Sequence, residues 1–341
     1  MATYIARRLA WLPIHLLIVS FFTFAIARFG PGDPVAVAAG QFRDPEVLAR
    51  VRAERGLDGT IVEQYGRWLV RAVQGDFGES FLQQGYSVGE LIRGKLWISA
   101  QLGFISLLLV FGIGIPLGLL AARASGTWVD PAVIATLLFL QAIPVLVLIP
   151  PLLWVFAVQL DVLPTGGWDG GFYGVFNGAS WEGLFDLWWI GGVIAVPIPD
   201  PHLYIPLFVL SLPGWAGVAR LVRITALEVL TEDYIRTARS KGLSEYAVAL
   251  RHVLPNSLLP VVTVVGFALT GILSGAFFTE TLLGINGIGR FTFEAVRSRD
   301  YDVILAMTVI VSTVFVVMNL AAELTYAFID PRVRLGETVT A

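Results

Sequence analysis

Long, unbroken apolar stretches separated by short polar connections set the rhythm of this chain. A bilayer core about 30 Å thick needs about 20 apolar residues in a helix. Six stretches reach or approach that length, over residues 11–27, 99–122, 132–160, 203–222, 260–279 and 303–326. The fourth is interrupted by Pro206 and Pro213. The two-residue alternation of a barrel strand is not visible, so helices are the expected spans. The pattern predicts an all-α polytopic membrane protein with six transmembrane helices.

Composition agrees. Of 341 residues, 56% are hydrophobic and 14% charged, against roughly 25% charged in an ordinary soluble domain. Phe (22) and Trp (10) are plentiful, as expected where rings sit at lipid interfaces. Cysteine is absent, so neither a disulfide framework nor a thiolate metal site is expected. A net charge of -3 gives no global basic field for nucleic acid.

Basic residues in short flanks set the expected orientation. Arg7 and Arg8 precede span one and Arg123 follows span two. Arg220, Arg223, Arg236, Arg239, Lys241 and Arg251 lie around the connection between spans four and five, and Arg332 and Arg334 follow span six. With six spans these all fall on one side, and residues 161–200, on the other, hold no Lys or Arg. Both termini are therefore expected in the cytoplasm. Residues 1–28 form the cytoplasmic N-terminus and span one, 29–96 a large external segment, 97–329 the membrane core and 330–341 a cytoplasmic tail. The start imitates a signal peptide, but the apolar run is long and counting it keeps the sides consistent, so a retained span is expected. Within 29–96 the charged stretch PEVLARVRAERGL is helix-prone, and the Gly- and Trp-rich 161–200 insertion reads as an irregular cap.

The spans are almost free of ionisable residues: His15 in span one, Arg220 at the end of span four and Glu323 near the end of span six are exceptions. A buried charge at mid-membrane is costly and usually functional. No proton relay, buried acid–base pair, zinc cluster or His-based triad is expected, and hence no catalytic, cofactor-binding or metal site. Gly114 and Gly118, and Gly271 and Gly275, have the spacing that lets helices approach closely. Pro206 and Pro213 are expected to kink span four as a possible gate hinge. Gly89–Lys95 imitates the first seven positions of a phosphate-binding loop, but Leu96 stands where Ser or Thr would hold magnesium. If ATP drives this protein, another chain hydrolyses it.

The most informative stretch is the cytoplasmic connection at about 224–258. Thr231 is expected to cap a helix with Glu232 and Asp233 in its first turn. Gly242 can take a left-handed position at its end, and Ser244 can cap a second helix ending near Pro255. Basic Arg236, Arg239, Lys241 and Arg251 interleave with Tyr234, Ile235, Leu243 and Tyr246. This pattern suits a docking element for a cytoplasmic partner better than a plain solvated loop.

This stretch resembles the coupling loop of the membrane subunits of binding-protein-dependent ABC importers. Their pattern is Glu-Ala-Ala, three residues, Gly, nine residues, then Ile-x-Leu-Pro. Here Gly242 is followed nine residues later by His252-Val253-Leu254-Pro255, and Arg236-Thr237-Ala238 replaces Glu-Ala-Ala. These departures resemble the dipeptide/oligopeptide branch, which Asp233 to Leu243 matches closely. Pro31-Gly32-Asp33-Pro34, Gly75 to Ser80, Glu280-Thr281, Gly287-Ile288-Gly289, Arg299-Asp300 and Asp330-Pro331-Arg332 also look like this branch.

The resemblance implies the type I ABC importer fold and a permease subunit in the bacterial inner membrane. It implies a second homologous permease subunit, two cytoplasmic ABC ATPase subunits carrying ATP and magnesium, and an external solute-binding protein. The coupling residues it implies are Asp233, Tyr234, Arg236, Thr237, Ala238, Arg239, Lys241, Gly242, Leu243, Tyr246, His252, Leu254 and Pro255. Short peptides are the expected solute. Nickel chelates, glutathione-like peptides and oligosaccharides stay open within the same architecture, and an intramembrane enzyme or a passive channel lies further off.

Overall fold

Apolar composition dictates helices, and proline and glycine decide where they break. A computed structural model describes residues 2–29, 46, 49–50, 58–80, 83, 85–168, 188–190, 194–196, 200–258, 260–261, 264, 268 and 276–329. The chain divides into two compact units, one of Met1–Ile98 with Asn286–Leu320 and one of Ser99–Ile285 with Ala321–Ala341. Three described helices are long and apolar enough to cross a membrane, and four spans result if one bent pair counts as a span. The PEVLARVRAERGL stretch, most of the fifth expected span with Gly271 and Gly275, and Asp330–Arg332 lie outside the described residues.

In the first unit, α1 (Ala2–Phe29) meets α2 (Ile61–Val73). A reciprocal cap starts α2: Thr60 Oγ1 accepts from Glu63 N at 3.4 Å, and Thr60 N donates to Glu63 Oε2 at 2.8 Å. The backbone hydrogen bond from Thr60 holds the Glu63 carboxyl below the ordinary carboxylate range. Phe24 and Trp68 of these helices are buried with Leu305, and the Tyr65 ring stacks on Trp68 at 6.0 Å. Helix α3 (Val88–Arg123) begins here, so Gly89–Lys95 lies inside a helix rather than in a loop. Its first turns pack Val88 and Ile92 against Ile288, Phe291 and Val303. The latter come from α11 (Ile288–Ser298) and α12 (Tyr301–Ile329). Arg299 ends α11 in a left-handed conformation, φ 59°, a position where a non-glycine residue is uncommon. It delivers the wholly buried Asp300, whose Oδ2 accepts from Ser80 Oγ at 2.6 Å. Two stretches 220 residues apart, Gly75–Ser80 and Arg299–Asp300, are thereby joined.

In the second unit, the expected third span is a broken pair, α4 (Val129–Ala142) and α5 (Val145–Leu153), the latter continued by a π-helical turn over Trp154–Gln159. The two halves are bent by 95°. Pro144 explains the break: it forces the residue before it out of the helical region, and Ile143 sits at φ -78°, ψ 118°. Trp188–Ile190 (β1) and Ile194–Val196 (β2) pair antiparallel within the 161–200 insertion. At the centre stands α6 (Tyr204–Leu230), which buries Val209, Leu212, Val218, Ala219, Val222 and Ala226. Pro206 and Pro213, expected to kink it, enter it differently, and Pro206 comes first. It lies in the first turn, where its missing N–H has no intrahelical partner to lose. Pro213 lies inside the helix and cannot donate to the Val209 carbonyl.

Glycine lets α3 and α6 touch. A Cβ on Gly114 would stand 2.9 Å from Val218 Cβ; one on Gly118 would stand 2.8 Å from Val222 Cβ and 3.0 Å from Ala219 Cα. From the other side, a Cβ on Gly214 would meet Val110 Cβ at 3.2 Å. A buried acid–base pair, not expected from the sequence, ties α4 to α6. Arg223 Nε and Nη2 donate to Asp130 Oδ1 and Oδ2 at 2.5 and 2.6 Å, and Asp130 is 5% exposed. The expectation failed because both residues lie at the margins of the apolar runs and are 93 residues apart.

Candidate functional site

Helix α7 (Asp233–Ser240) opens the stretch after α6. Its N-cap is Glu232, with an extended backbone, not Thr231. Thr231 remains helical as the end of α6, where its Oγ1 donates to Glu228 O at 2.7 Å. Asp233 falls in the first turn of α7, where the helix dipole favours an acid.

Glycine closes α7. Gly242 has φ +82°, its N–H donates to Arg239 O at 2.9 Å, and Leu243 N donates to Ala238 O at 3.3 Å. These two bonds define a Schellman turn, which satisfies carbonyls the helix end leaves open. Two residues on, Ser244 Oγ accepts from Ala247 N at 3.3 Å and starts α8 (Glu245–Val248). The chain thus reverses within four residues. An ion pair clasps the reversal: Arg239 Nε and Nη2 donate to Glu245 Oε1 and Oε2 at 2.9 and 3.1 Å. The Arg239 hydrogen bond holds the Glu245 carboxyl below its ordinary range, and Glu245 raises Arg239 in turn.

The second helix does not end at Pro255. A π-helical turn, Ala249–Val253, follows α8, and α9 (Leu254–Ser257) carries the helical path through the proline. Leu254 N donates to Ala249 O, five residues back. A proline in a regular helix clashes with the carbonyl four residues before it, here that of Arg251. The wider π turn displaces that carbonyl, and Pro255 falls in the first turn of α9, where no donor is required.

The two faces of this elbow differ. Inward, Ile235, Ala238, Val248 and Val253 form one buried cluster with Ala122 of α3 and Ala226 of α6. Full burial of an aliphatic side chain such as Ile235 contributes about 1.5–3 kcal/mol. Thr225 Oγ1 adds a hydrogen bond to Ser257 O at 3.1 Å. Outward, Asp233, Tyr234, Arg236, Thr237, Arg239, Lys241, Gly242 and Tyr246 are exposed. Tyr234 is 42% and Tyr246 65% exposed. Partial burial, then the Glu232 charge, raises the Tyr234 phenol, so it stays a neutral hydrogen-bond donor near pH 7.

Of the residues singled out from sequence, Ala238 faces the buried cluster and Leu243 packs against it. His252 and Leu254 are half-buried and Pro255 is exposed. Glu245 was not singled out, although an acid six residues after Arg239, just past a glycine turn, is a readable signal. Pro206 and Pro213 lie far along α6 from the elbow. Pro213 lines a cavity of about 330 Å³ with Ser106, Leu107, Val145 and Val209. In its wall, Ser106 Oγ is buried with no hydrogen-bond partner among the described residues.

A family model described as the binding-protein-dependent transport system inner membrane component matches residues 114–335, and one for the N-terminal part of such membrane components matches residues 1–86. The chain is 34% identical over 334 residues to a probable peptide ABC transporter permease protein of Sinorhizobium fredii, covering 98% of this chain and 100% of that one. It is 33% identical over 334 residues to the oligopeptide transport system permease protein OppB of Salmonella typhimurium, with the same coverage. To the oligopeptide transport system permease protein AppB of Bacillus subtilis it is 36% identical over 338 residues, covering 98% and 99%.

Proposed function

The chain belongs to the family of binding-protein-dependent transport system inner membrane components, and from that premise we propose that it is the permease subunit of an ATP-driven importer of short peptides. Peptides are the cargo printed in the names of its relatives. Six spans, cytoplasmic termini and a large external segment after span one complete the reading. The chain works with a homologous permease subunit, two ATPase subunits holding ATP and magnesium, and an external binding protein that delivers the peptide.

One observation carries this reading: the elbow has a buried face fused to α3 and α6 and an exposed face of Tyr234, Arg236, Arg239, Lys241 and Tyr246. In the proposed mechanism the exposed face seats in a groove of an ATPase subunit. Closure of the ATPase pair pushes the elbow as a rigid body, because the Schellman turn and the Arg239–Glu245 clasp leave it little freedom. The push passes through Ile235, Ala238 and Val253 into the ends of α3 and α6. The spans then switch between inward-open and outward-open arrangements, a discrete change of packing. Pro213, beside the cavity, is the proposed hinge. Pro206, in the first turn, is not.

The natural chain has no cysteine, so Tyr234→Cys supplies a single thiol on this subunit for cross-linking. In the assembled importer it is expected to join the ATPase subunit. Gly242→Pro is expected to leave the chain in the membrane while ATP hydrolysis no longer drives uptake. A cross-link to the binding protein instead, or normal uptake by Gly242→Pro, would refute the docking assignment.

A further inference from the structure

Within the first unit, α1, α2 and α12 enclose an apolar groove of about 520 Å³, inside the range of about 300–1,000 Å³ usual for small-molecule sites. Its walls include Leu16, Trp68, Ala72, Ile310 and Val314. The two hydroxyls that border it are satisfied: Ser20 Oγ bonds the Tyr65 hydroxyl at 2.8 Å, and Thr313 Oγ1 donates to Val309 O at 2.7 Å. Trp68 is the exception. It is 5% exposed, and its Nε1 donor has no acceptor among the described residues.

Buried indole N–H groups normally find a partner. A water bridging Trp68 Nε1 to the Ser20 or Thr313 hydroxyl would have the partners it needs, but it would leave most of this apolar groove of about 520 Å³ unfilled. A helix of another subunit has already committed its backbone carbonyls. The group that fits is long, apolar and equipped with a hydrogen-bond acceptor.

Helix α2 locates that group. Val62, Val70 and Val73 are 65%, 60% and 81% exposed beside exposed Arg67 and Arg71. Exposed valines alternating with arginines suit a helix lying at the boundary of headgroups and acyl chains. At that depth a bilayer presents ester carbonyls.

We propose that this groove holds a phospholipid, an acyl chain running along Leu16, Ile310 and Val314 and an ester carbonyl accepting the Trp68 Nε1 hydrogen bond. Arg71, one turn along α2, is available to the headgroup phosphate. The lipid fills the space between α1 and α12 and fastens the interfacial helix to both.

The assembled importer is reconstituted into phosphatidylglycerol vesicles containing an analogue with a photoreactive diazirine midway along one chain. After illumination, adducts are mapped by mass spectrometry. The groove residues Leu12, Leu16, Ser20, Ile310 and Val314 are expected to carry several-fold more label than the exposed Ile14, Ile18 and Phe22 of α1, taken as the lipid-facing reference. Trp68→Phe keeps a ring but removes the donor and lowers groove labelling toward that reference. A dialkyl-ether analogue, lacking ester carbonyls, does the same with the natural chain. Should Trp68→Phe fail to fold, Ala72→Phe fills the groove and is expected to displace the label. Uniform labelling of all apolar faces, equal labelling by ester and ether lipids, or groove labelling that appears only when the sister subunit is omitted overturns the assignment. Labelling requires no uptake, so it is decided separately from the transport reading.

Discussion

Gly118→Ala adds one carbon where α3 and α6 touch. The new Cβ would lie 2.8 Å from Val222 Cβ and 3.0 Å from Ala219 Cα, with the Ala219 carbonyl oxygen closer still. None of these is the loose end of a flexible side chain, so the two helices must part. Overpacking of this kind costs about 1–3 kcal/mol. Alanine in place of a helical glycine returns about 1 kcal/mol, so the net loss is about 0–2 kcal/mol. Gly112→Ala is the internal control. It lies in the same helix with nothing within 4 Å of the added carbon, so it receives the gain without the clash. The difference between the two variants isolates the overpacking cost, about 1–3 kcal/mol. At about 2–4 °C per kcal/mol for domains of 150–250 residues, their unfolding midpoints in detergent should differ by about 2–12 °C. Gly114→Ala, which meets Val218 Cβ at 2.9 Å, should fall between them. If Gly118→Ala melts at or above Gly112→Ala, the two helices are not in glycine-mediated contact and the route from elbow to spans is wrong.

Asp130→Ala leaves the Arg223 guanidinium without its buried partner. It should lose stability near the lower end of the about 3–5 kcal/mol typical of such breaks, because Arg223 retains 29% exposure. Asp130→Leu combined with Arg223→Leu should recover most of that loss in the same denaturation assay. Gly242→Val places a β-branched residue at φ +82°, a strain of about 1–2 kcal/mol, and should weaken ATP-driven uptake. Gly242→Asn, which tolerates that conformation, should retain uptake. The Glu245 carboxyl is held low by Arg239, so the clasp is fully present above the unfolded carboxyl pKa of about 4.3 and is lost as pH falls through the lower folded value. The midpoint difference between the natural chain and Glu245→Gln should be flat from pH 6 to 9 and shrink below about pH 4.3. Its size between pH 6 and 9 should match an exposed pair, about 0.2–1 kcal/mol.

Local signals were legible along the chain. The left-handed Gly242, the Ser244 cap and the close approach at Gly114 and Gly118 each follow from a few neighbouring residues, and each was read correctly. The Thr60–Glu63 box marks the start of α2 in the same local way. Contacts that depend on distant partners were not legible. Asp130 meets Arg223, and Ser80 meets Asp300, only once helices remote in sequence are packed. The break at Pro144 and the path through Pro255 show why proline is ambiguous in an apolar chain. One proline ends a helix because the residue before it is free to extend. The other is accommodated because a π turn moves the obstructing carbonyl.

Helix α7 holds its scaffold with Ile235 and Ala238 and shows the outside Tyr234, Arg236 and Arg239. The two sets do not overlap, so either can change while the other stays put. On the proposed docking, partner choice would rest on a handful of outward letters, separate from the lever beneath. For the same reason, transplanting those letters between related importers is a direct way to rewire one to another's power source.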